Sequence, residues 1–205
     1  MEPVALSWHR EERADAARNR AHLVEVAREM VAELGADRVT MDGLAERAGL
    51  GKGTVFRRFG TRSGIFHALF DEEEKHFQRQ LISGPPPLGP GAPPVERLLA
   101  FGRARIEFLV SHTTLARAAL DIGRPVPGRS PMLFHVQVLL AEARPDDAKS
   151  GALALQLVAA LEGPILLYLQ SEDDEPGFEV DDLVASWQLL ARRVTAPTAA
   201  PPARR

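Results

Sequence analysis

The sequence predicts an all-α protein in which a helix-turn-helix near the N-terminus is followed by a larger helical block. Three observations lead to this prediction. Apolar residues recur at helical spacing along most of the chain. Residues 40–59 read as two short helices joined at Gly49, where the turn needs a left-handed backbone. Residues 83–94 contain six prolines, which exclude a helix and predict an extended connector between helices.

The first helix is predicted from Arg20 to Leu34. Its apolar residues lie on one face. Gly35 follows the helix, and glycine is favoured there because helices often end with a residue in the left-handed conformation. The helix therefore offers a packing surface to the elements that follow. Its apolar stripe consists of Leu23, Val26, Ala27, Met30, Val31 and Leu34.

The helix-turn-helix comes next. Thr40 occupies the N-cap position of its first helix, with Asp42 in the first turn. Ala45 is small enough to let the two helices cross closely, and Leu50 and Val55 fill the angle between them. The second helix then turns its polar side chains outward. These outward residues are Lys52, Thr54, Arg57 and Arg58.

Six further helices are predicted, separated by stretches rich in Gly and Pro. A fourth helix from residue 62 to about 82 precedes helices over 95–111, 114–120, 131–143, 146–170 and 180–194. The tail that follows is rich in Pro and Ala and is expected to be disordered.

The helix-turn-helix carries an unusual charge pattern. Between Arg47 and Arg62 there are five basic residues and no acidic one, whereas the rest of the chain mixes both signs. The net charge of −3 confines any affinity for polyanions to such a patch. An unopposed cationic rim on a helix-turn-helix favours double-stranded DNA as a partner. The rim consists of Arg47, Lys52, Arg57, Arg58 and Arg62.

The segment from Arg20 to Phe70 resembles the DNA-binding domain of the tetracycline-repressor (TetR) family of bacterial regulators. The first helix of that domain is matched by RNRAHLVEVAREMVAELG, the second and third by VTMDGLAERAGLGKGTVFRRF, and the start of the fourth by TRSGIFHALF. The resemblance covers about the first third of the chain, and beyond it only the helical character is shared. It implies a dimeric regulator that binds a palindromic DNA operator and is released by a small molecule.

By this resemblance, residues 52–59 form the recognition helix. Arg57 and Arg58 are each able to pair with guanine through two hydrogen bonds, and which of them reads a base stays open. Phe56 and Gly51 depart from the Tyr and Ser that relatives usually carry, which removes two hydroxyl contacts. Arg62 stands where relatives often have Lys and is expected to keep a phosphate contact. The residues expected at the DNA are Thr40, Lys52, Gly53, Thr54, Phe56, Arg57, Arg58 and Arg62.

Residues 1–19 are predicted to form a flexible arm, because they are polar and carry both charge signs at a chain terminus. An alternative stays open, in which the arginines of the arm enter the minor groove beside the main site. Glu11, Glu12 and Asp15 oppose that alternative.

Other kinds of site are not indicated. The chain has no cysteine, its six histidines show no metal-ligand spacing, and no catalytic signature is found, so no metal, cofactor or enzymatic activity is predicted. The string GLGKGT lacks the Gly-Lys-Ser/Thr order and the preceding strand of a P-loop.

Residues 151–170 are long and apolar enough to cross a bilayer. Glu162 and the Gly163–Pro164 pair favour a buried interface helix instead, so no membrane partner is predicted. The N-terminus does not read as a secretory signal, and the expected location is cytoplasmic.

The resemblance implies a small-molecule effector site within the helical block. Its candidates are polar side chains on apolar stretches and the aromatic residues near them. Each of them also fits ordinary packing, because aromatic residues at helical spacing usually lie in a core. The candidate residues are Phe101, Arg105, Phe108, His112, Phe134, His135, Gln137 and Tyr168.

A homodimer is expected, because one recognition helix reads only a few base pairs. The helices over 146–170 and 180–194 have apolar faces suited to a four-helix interface. The residues expected in that interface are Leu157, Leu161, Leu183, Trp187 and Leu190.

The predicted domains are the arm (1–19), a helix-turn-helix DNA-binding domain (20–66), a ligand-binding and dimerisation domain (67–194) and a disordered tail (195–205). The predicted function is a ligand-responsive DNA-binding transcriptional regulator, most often a repressor in this family. The alternative, suggested by Phe56 and Gly51, is a relative with weakened DNA binding that acts as a small-molecule binding protein.

Overall fold

The computed structural model describes residues 4–119, 130–145, 149–170 and 177–196, with side chains for all of these except residues 4–14, 16 and 170. The described residues form helices and no strand, which confirms the all-α prediction. A short 3₁₀ turn, Ala36–Arg38, follows the first helix. The helices are α1 (Val4–Leu34), α2 (Met41–Arg47), α3 (Lys52–Phe59), α4 (Arg62–Ser83), α5 (Pro94–Ser111), α6 (Thr113–Ala119), α7 (Pro131–Ala143), α8 (Ser150–Gln170) and α9 (Val180–Thr195).

Helix α1 is longer than the sequence analysis predicts. The expected start at Arg20 is wrong, because the helix already begins at Val4 and includes most of the segment expected to be a flexible arm. Residues 4–19 contain neither Pro nor Gly and are rich in Ala, Arg and Glu, so nothing in them stops a helix from extending. The polarity and mixed charge of this segment did not reveal that it is helical.

The connector between α4 and α5 also differs from its prediction. It is not helical, as its prolines require, but it folds into turns rather than an extended strand of chain. The backbone N–H of Gly89 donates to the carbonyl of Pro85 at 2.9 Å, which closes one such turn. The start of α5 is then set by Pro94 in its first turn, where the missing N–H costs no helical bond.

The contacts between residues divide the chain into two compact units, each with its own core. The N-terminal unit contains the described residues 4–74 and 114–119, and the C-terminal unit contains 75–113 and the described residues after 130. The division falls within α4, between Glu74 and Lys75, later in that helix than the domain boundary predicted after residue 66.

The core of the N-terminal unit is formed by α1, the helix-turn-helix and the first half of α4. The predicted stripe of α1 supplies Leu23, which is fully buried, and the predicted close crossing of α2 and α3 is present, with Ala45 only 2% exposed. Gly49 in the turn has φ +65°, the left-handed conformation that its position requires. Other buried members of this core are Val26, Ala27, Met30, Leu44, Val55, Ile65, Phe66 and Leu69.

The C-terminal unit is organised around α5, which packs against α7, α8 and α9. Trp187 of α9 is 2% exposed, and its indole N–H donates to the carbonyl of Leu157 in α8 at 2.9 Å. On α5, Gly102 lies directly against the indole ring, so a side chain there would overlap it. Trp187 therefore joins three helices of this unit, and the space for it depends on a glycine.

Candidate functional site

The recognition helix predicted from the sequence is α3, and packing fixes which of its faces is exposed. Val55 and Phe59 lie in the core of the N-terminal unit, 0% and 9% exposed. The opposite face carries Lys52, Gly53, Phe56 and Arg57, all exposed, while Thr54 and Arg58 are half-buried. The structure thus brings six of the eight residues predicted at the DNA onto or beside one exposed helical face.

Two of the basic residues in the predicted rim are paired with acidic residues. Arg47 forms a two-fold ion pair with Glu33 of α1, at 2.5 and 2.6 Å. This hydrogen bonding lowers the pKa of Glu33 and raises that of Arg47. The ammonium of Lys52 lies 2.8 Å from a carboxylate oxygen of Asp42 in α2. The prediction of an unopposed rim is therefore wrong at these two positions, because folding brings in acids from outside residues 47–62.

Of the five cations in the predicted rim, Arg57 is the one best placed to bind an external anion. Its side chain is exposed, and it makes no ion pair or hydrogen bond within the described part of the chain. Beside it, the ring of Phe56 is 64% exposed, an unusual position for a large apolar side chain. A guanidinium next to an exposed aromatic ring suits contact with bases and sugars as well as with phosphates.

Arg62 has a different environment from the one predicted. Its Nε donates to the carbonyl of Val39 at 2.8 Å, and one Nη donates to the carbonyl of Ala36 at 2.7 Å. The guanidinium also lies over the ring of Phe66, 4.9 Å from its centroid. Arg62 thus fixes the segment that leads into the helix-turn-helix to the start of α4. We assign it a positioning role, and the phosphate contact expected of it stays a prediction.

Replacing Arg62 with alanine is expected to lower the free energy of unfolding by about 1–3 kcal/mol, since two carbonyl groups lose a charged donor. Urea unfolding followed by circular dichroism measures the change. Arg38→Ala is the matched control: this exposed arginine of the 3₁₀ turn should change stability by less than about 0.5 kcal/mol. Equal midpoints for the two variants would contradict the positioning role.

Thr40 has the N-cap conformation predicted for it. Its backbone is extended, with φ −125° and ψ 158°, and its hydroxyl oxygen accepts a hydrogen bond from the N–H of Gly43 at 3.0 Å. The cap prediction is confirmed. The hydroxyl is exposed and keeps its own proton, so a phosphate contact from Thr40 stays a prediction.

The C-terminal unit contains a pocket of about 320 Å³ between the end of α4, the connector, the start of α5 and α7. Phe134 and His135 of the predicted ligand-binding set line it. The sequence analysis missed the other lining residues, because no local pattern shows that α4, the connector, α5 and α7 meet here. These residues are Gln78, Leu81, Ile82, Pro90, Arg97, Pro131, Met132 and Val138.

One basic side chain of this pocket, Arg97, affects the other, His135. Burial, and the neighbouring charge of Arg97, lower the pKa of His135 to about 4, so its imidazole is uncharged at neutral pH. The Nε of Arg97 and the Nε2 of His135 are both buried without a hydrogen-bond partner in the described residues. The pocket therefore holds one fixed positive charge and two unsatisfied nitrogen atoms.

The remaining predicted ligand-binding residues do not line this pocket. Arg105 is 5% exposed, donates to Glu162 at 3.0 Å and lies over the ring of Phe108 at 5.1 Å. Phe108 in turn stacks on His112 at 4.4 Å between centroids. Phe101 is 1% exposed and lies behind the ring of His135. Gln137 is half-buried on α7. Tyr168 packs edge-on against Phe178.

The residues predicted at a dimer interface separate into two groups. Leu157, Leu161 and Trp187 are only 2–3% exposed and pack inside their own unit, so they offer little surface to a second copy. Leu183 is half-buried, and Leu190 is 49% exposed. Helix α8 is apolar on all sides, so periodicity does not distinguish its inner face from its outer one. The exposed leucines of these helices are Leu155, Leu166, Leu167, Leu189 and Leu190.

One described helix, over Ser150–Leu169, is long and apolar enough to span a bilayer by length and composition, and core helices pass the same test. About a third of that stretch is buried within the chain. The residues that the structure describes contain no cluster of His, Asp or Glu arranged to hold a metal ion.

Comparison with known proteins agrees with this geometry. Residues 23–69, from the second half of α1 to α4, match the family model described as bacterial regulatory proteins, tetR family. No curated protein matches the chain. The chain is similar to a TetR-family transcriptional regulator from Pectobacterium atrosepticum, with 23% identity, a TM-score of 0.65, and coverage of 89% of this chain and 96% of that one.

It is also similar to Thermus thermophilus FadR, a TetR-family transcriptional repressor solved in complex with lauroyl-CoA. That pair shares 17% identity, with a TM-score of 0.63 and coverage of 91% of this chain and 100% of the other. At such identities the likeness concerns the fold, while the family model is matched by the helix-turn-helix itself. Residues 23–69 therefore match the DNA-binding segment of the tetR family of bacterial regulatory proteins, and the chain shares its fold with solved TetR-family regulators.

Proposed function

We propose that the protein is a dimeric transcriptional repressor that binds a palindromic operator in double-stranded DNA and is released from it by a small molecule. The observation that carries the proposal is the outer face of α3, where Arg57 and Phe56 are exposed while Val55 and Phe59 hold the helix in the core. Such a helix enters a major groove without rearrangement of the unit that carries it.

The proposed release by a small molecule is supported by the pocket in the C-terminal unit. Its volume of about 320 Å³ and its mixture of apolar walls and few polar groups are typical of small-molecule sites. An effector lowers the affinity for DNA only by the difference in its affinity for the two states of the protein. The similar T. thermophilus repressor was solved in complex with lauroyl-CoA.

The proposed dimer is supported by the five exposed leucines of α8 and α9 named above. An apolar surface of this kind usually marks an interface. A palindromic operator would require the two copies of α3 to reach successive major grooves, about 34–36 Å apart. We propose that the protein acts in the cytoplasm, where its operator lies.

Selection of genomic DNA fragments by the purified protein, followed by fluorescence anisotropy, tests the function. A palindromic site is expected, with an affinity that falls as salt rises, because bound phosphates release counterions. Light scattering should show a dimer at micromolar concentration. A monomer, or binding that does not distinguish the selected fragment from unrelated duplexes, would contradict the proposal.

A second candidate function is favoured because at least three of the five rim cations already have partners within the chain. Arg47 and Lys52 are engaged by acids, and Arg62 by carbonyl groups, which leaves fewer cations for phosphates than the sequence suggests. The protein would then be a small-molecule binding protein with weakened DNA affinity. Enrichment of no fragment in the selection, together with a co-purified small molecule identified by mass spectrometry, would favour this candidate.

A further inference from the structure

The pocket in the C-terminal unit has an apolar floor and an apolar mouth. Leu81 and Met132 form the floor and are 3% and 2% exposed. At the mouth, Ile82 and Phe134 are 74% and 68% exposed. Large apolar side chains at the rim of a pocket fit a ligand whose apolar part covers them.

One wall of this pocket is polar, and its polar groups lack partners. The Nε of Arg97 and the Nε2 of His135 are buried, and neither has a hydrogen-bond partner among the described residues. Buried nitrogen atoms without a partner are rare in folded proteins, so each one points to a partner supplied from outside. Gln78, from α4, adds a third polar group to the lining.

The charge of the wall determines what kind of partner fits. Among the described residues that line the pocket, Arg97 is the only charged one, and none carries a carboxylate. The neighbouring imidazole carries no charge at neutral pH, and the positive charge of Arg97 contributes to this. A cationic ligand would meet repulsion here, and a neutral one would leave the guanidinium unpaired.

We propose that the pocket binds a small apolar molecule with one carboxylate, which Arg97 anchors. The planar guanidinium matches a carboxylate through two parallel hydrogen bonds, and the apolar part of the ligand lies against Leu81, Met132 and Phe134. This inference rests on the proposed function in naming the chemical class of its effector.

Calorimetric titration with octanoate, octyl phosphate and 1-octanol tests the proposal. Octanoate is expected to bind the full chain at least about tenfold more tightly than 1-octanol, since a charge-assisted pair is lost with the alcohol. In Arg97→Gln this preference should disappear. Arg103→Gln is the matched control, because Arg103 lies on the same helix, paired with Glu107 and Asp181 outside the pocket, and the preference should persist.

The other outcomes are equally decisive. Equal binding of octanoate and 1-octanol by the unmodified chain would overturn the proposal. Tenfold tighter binding of octyl phosphate than of octanoate would overturn the carboxylate and assign a phosphate instead.

A measurement on the unmodified chain guards against a folding defect in Arg97→Gln. A carboxylate beside Arg97 offsets the positive charge felt by His135, so octanoate should raise the pKa of that imidazole from about 4, as followed by NMR. The neutral 1-octanol should raise it less. An unchanged pKa at saturating octanoate would overturn the placement of the carboxylate at Arg97.

Anisotropy with the selected operator separates this inference from the proposed function. If octanoate binds through Arg97 but does not release DNA, the ligand class stands and the effector role fails. If DNA binding is specific but octanoate shows no preference over 1-octanol, the repressor stands and the ligand class fails.

Discussion

Replacing Arg57 and Arg58 together with alanine is expected to abolish the preference of the protein for its operator over unrelated DNA. A two-fold pairing of arginine with guanine contributes about 1–3 kcal/mol of discrimination, so losing one such contact lowers specific affinity about 5-fold to 150-fold. Anisotropy titrations of the selected duplex and of a scrambled duplex, at one salt concentration, measure the ratio directly.

The control variant is Lys75→Ala combined with Arg79→Ala, which removes two positive charges from the exposed surface of α4 in the other unit. Its net charge equals that of the test variant, so a general electrostatic loss would appear in both. If the α3 variant keeps the operator preference of the unmodified chain, these arginines do not read the sequence.

A conservative variant distinguishes base contacts from phosphate contacts. Arg57→Lys keeps the charge but loses the fork that pairs with guanine. If Arg57 reads a base, this variant should lose part of the operator preference while its affinity for unrelated duplexes stays the same. If Arg57 contacts only phosphates, the operator preference should survive.

Replacing Gly102 with alanine is expected to be among the most destabilising single changes in the C-terminal unit. A Cβ at position 102 would overlap the indole ring of Trp187, which is 2% exposed and held by its hydrogen bond to Leu157. Overpacking of this kind costs about 1–3 kcal/mol, and here it falls on the residue that joins α5, α8 and α9. Urea unfolding followed by circular dichroism gives the loss.

Gly151→Ala provides the comparison for Gly102→Ala. Both glycines lie in helices, but a Cβ at position 151 meets nothing within 4 Å, so this change should be neutral or slightly stabilising through helix propensity. Similar unfolding midpoints for the two variants would show that α5 and α9 move apart easily.

The turn and cap of the helix-turn-helix were predictable from local signals, whereas the bounds of α3 came from the family resemblance. Gly49 fixes the turn, Thr40 caps α2, and Ala45 permits the close crossing, and each of these depends on neighbours within a few positions. The bounds of α7 follow in the same way from Pro131 and the apolar run behind it.

The errors concern properties that depend on distant residues. The ion pairs of Arg47 with Glu33 and of Lys52 with Asp42 each join two helices. The hydrogen bond from Arg62 to the carbonyl of Ala36 likewise joins α4 to the 3₁₀ turn. The pocket is assembled from α4, α5 and α7. The buried face of α8 could not be predicted from the sequence, since leucine and alanine lie on every side of the helix.

The ion pairs of Arg47 and Lys52 have a consequence for the search for a target site. Glu33 and Asp42 occupy these cations before any nucleic acid arrives, so the carboxylates compete with phosphates for them. If the protein binds DNA as proposed, a duplex of arbitrary sequence must displace these carboxylates before its phosphates reach Arg47 and Lys52, which lowers nonspecific affinity. The contact of an operator with Arg57 then makes up a larger share of the binding free energy.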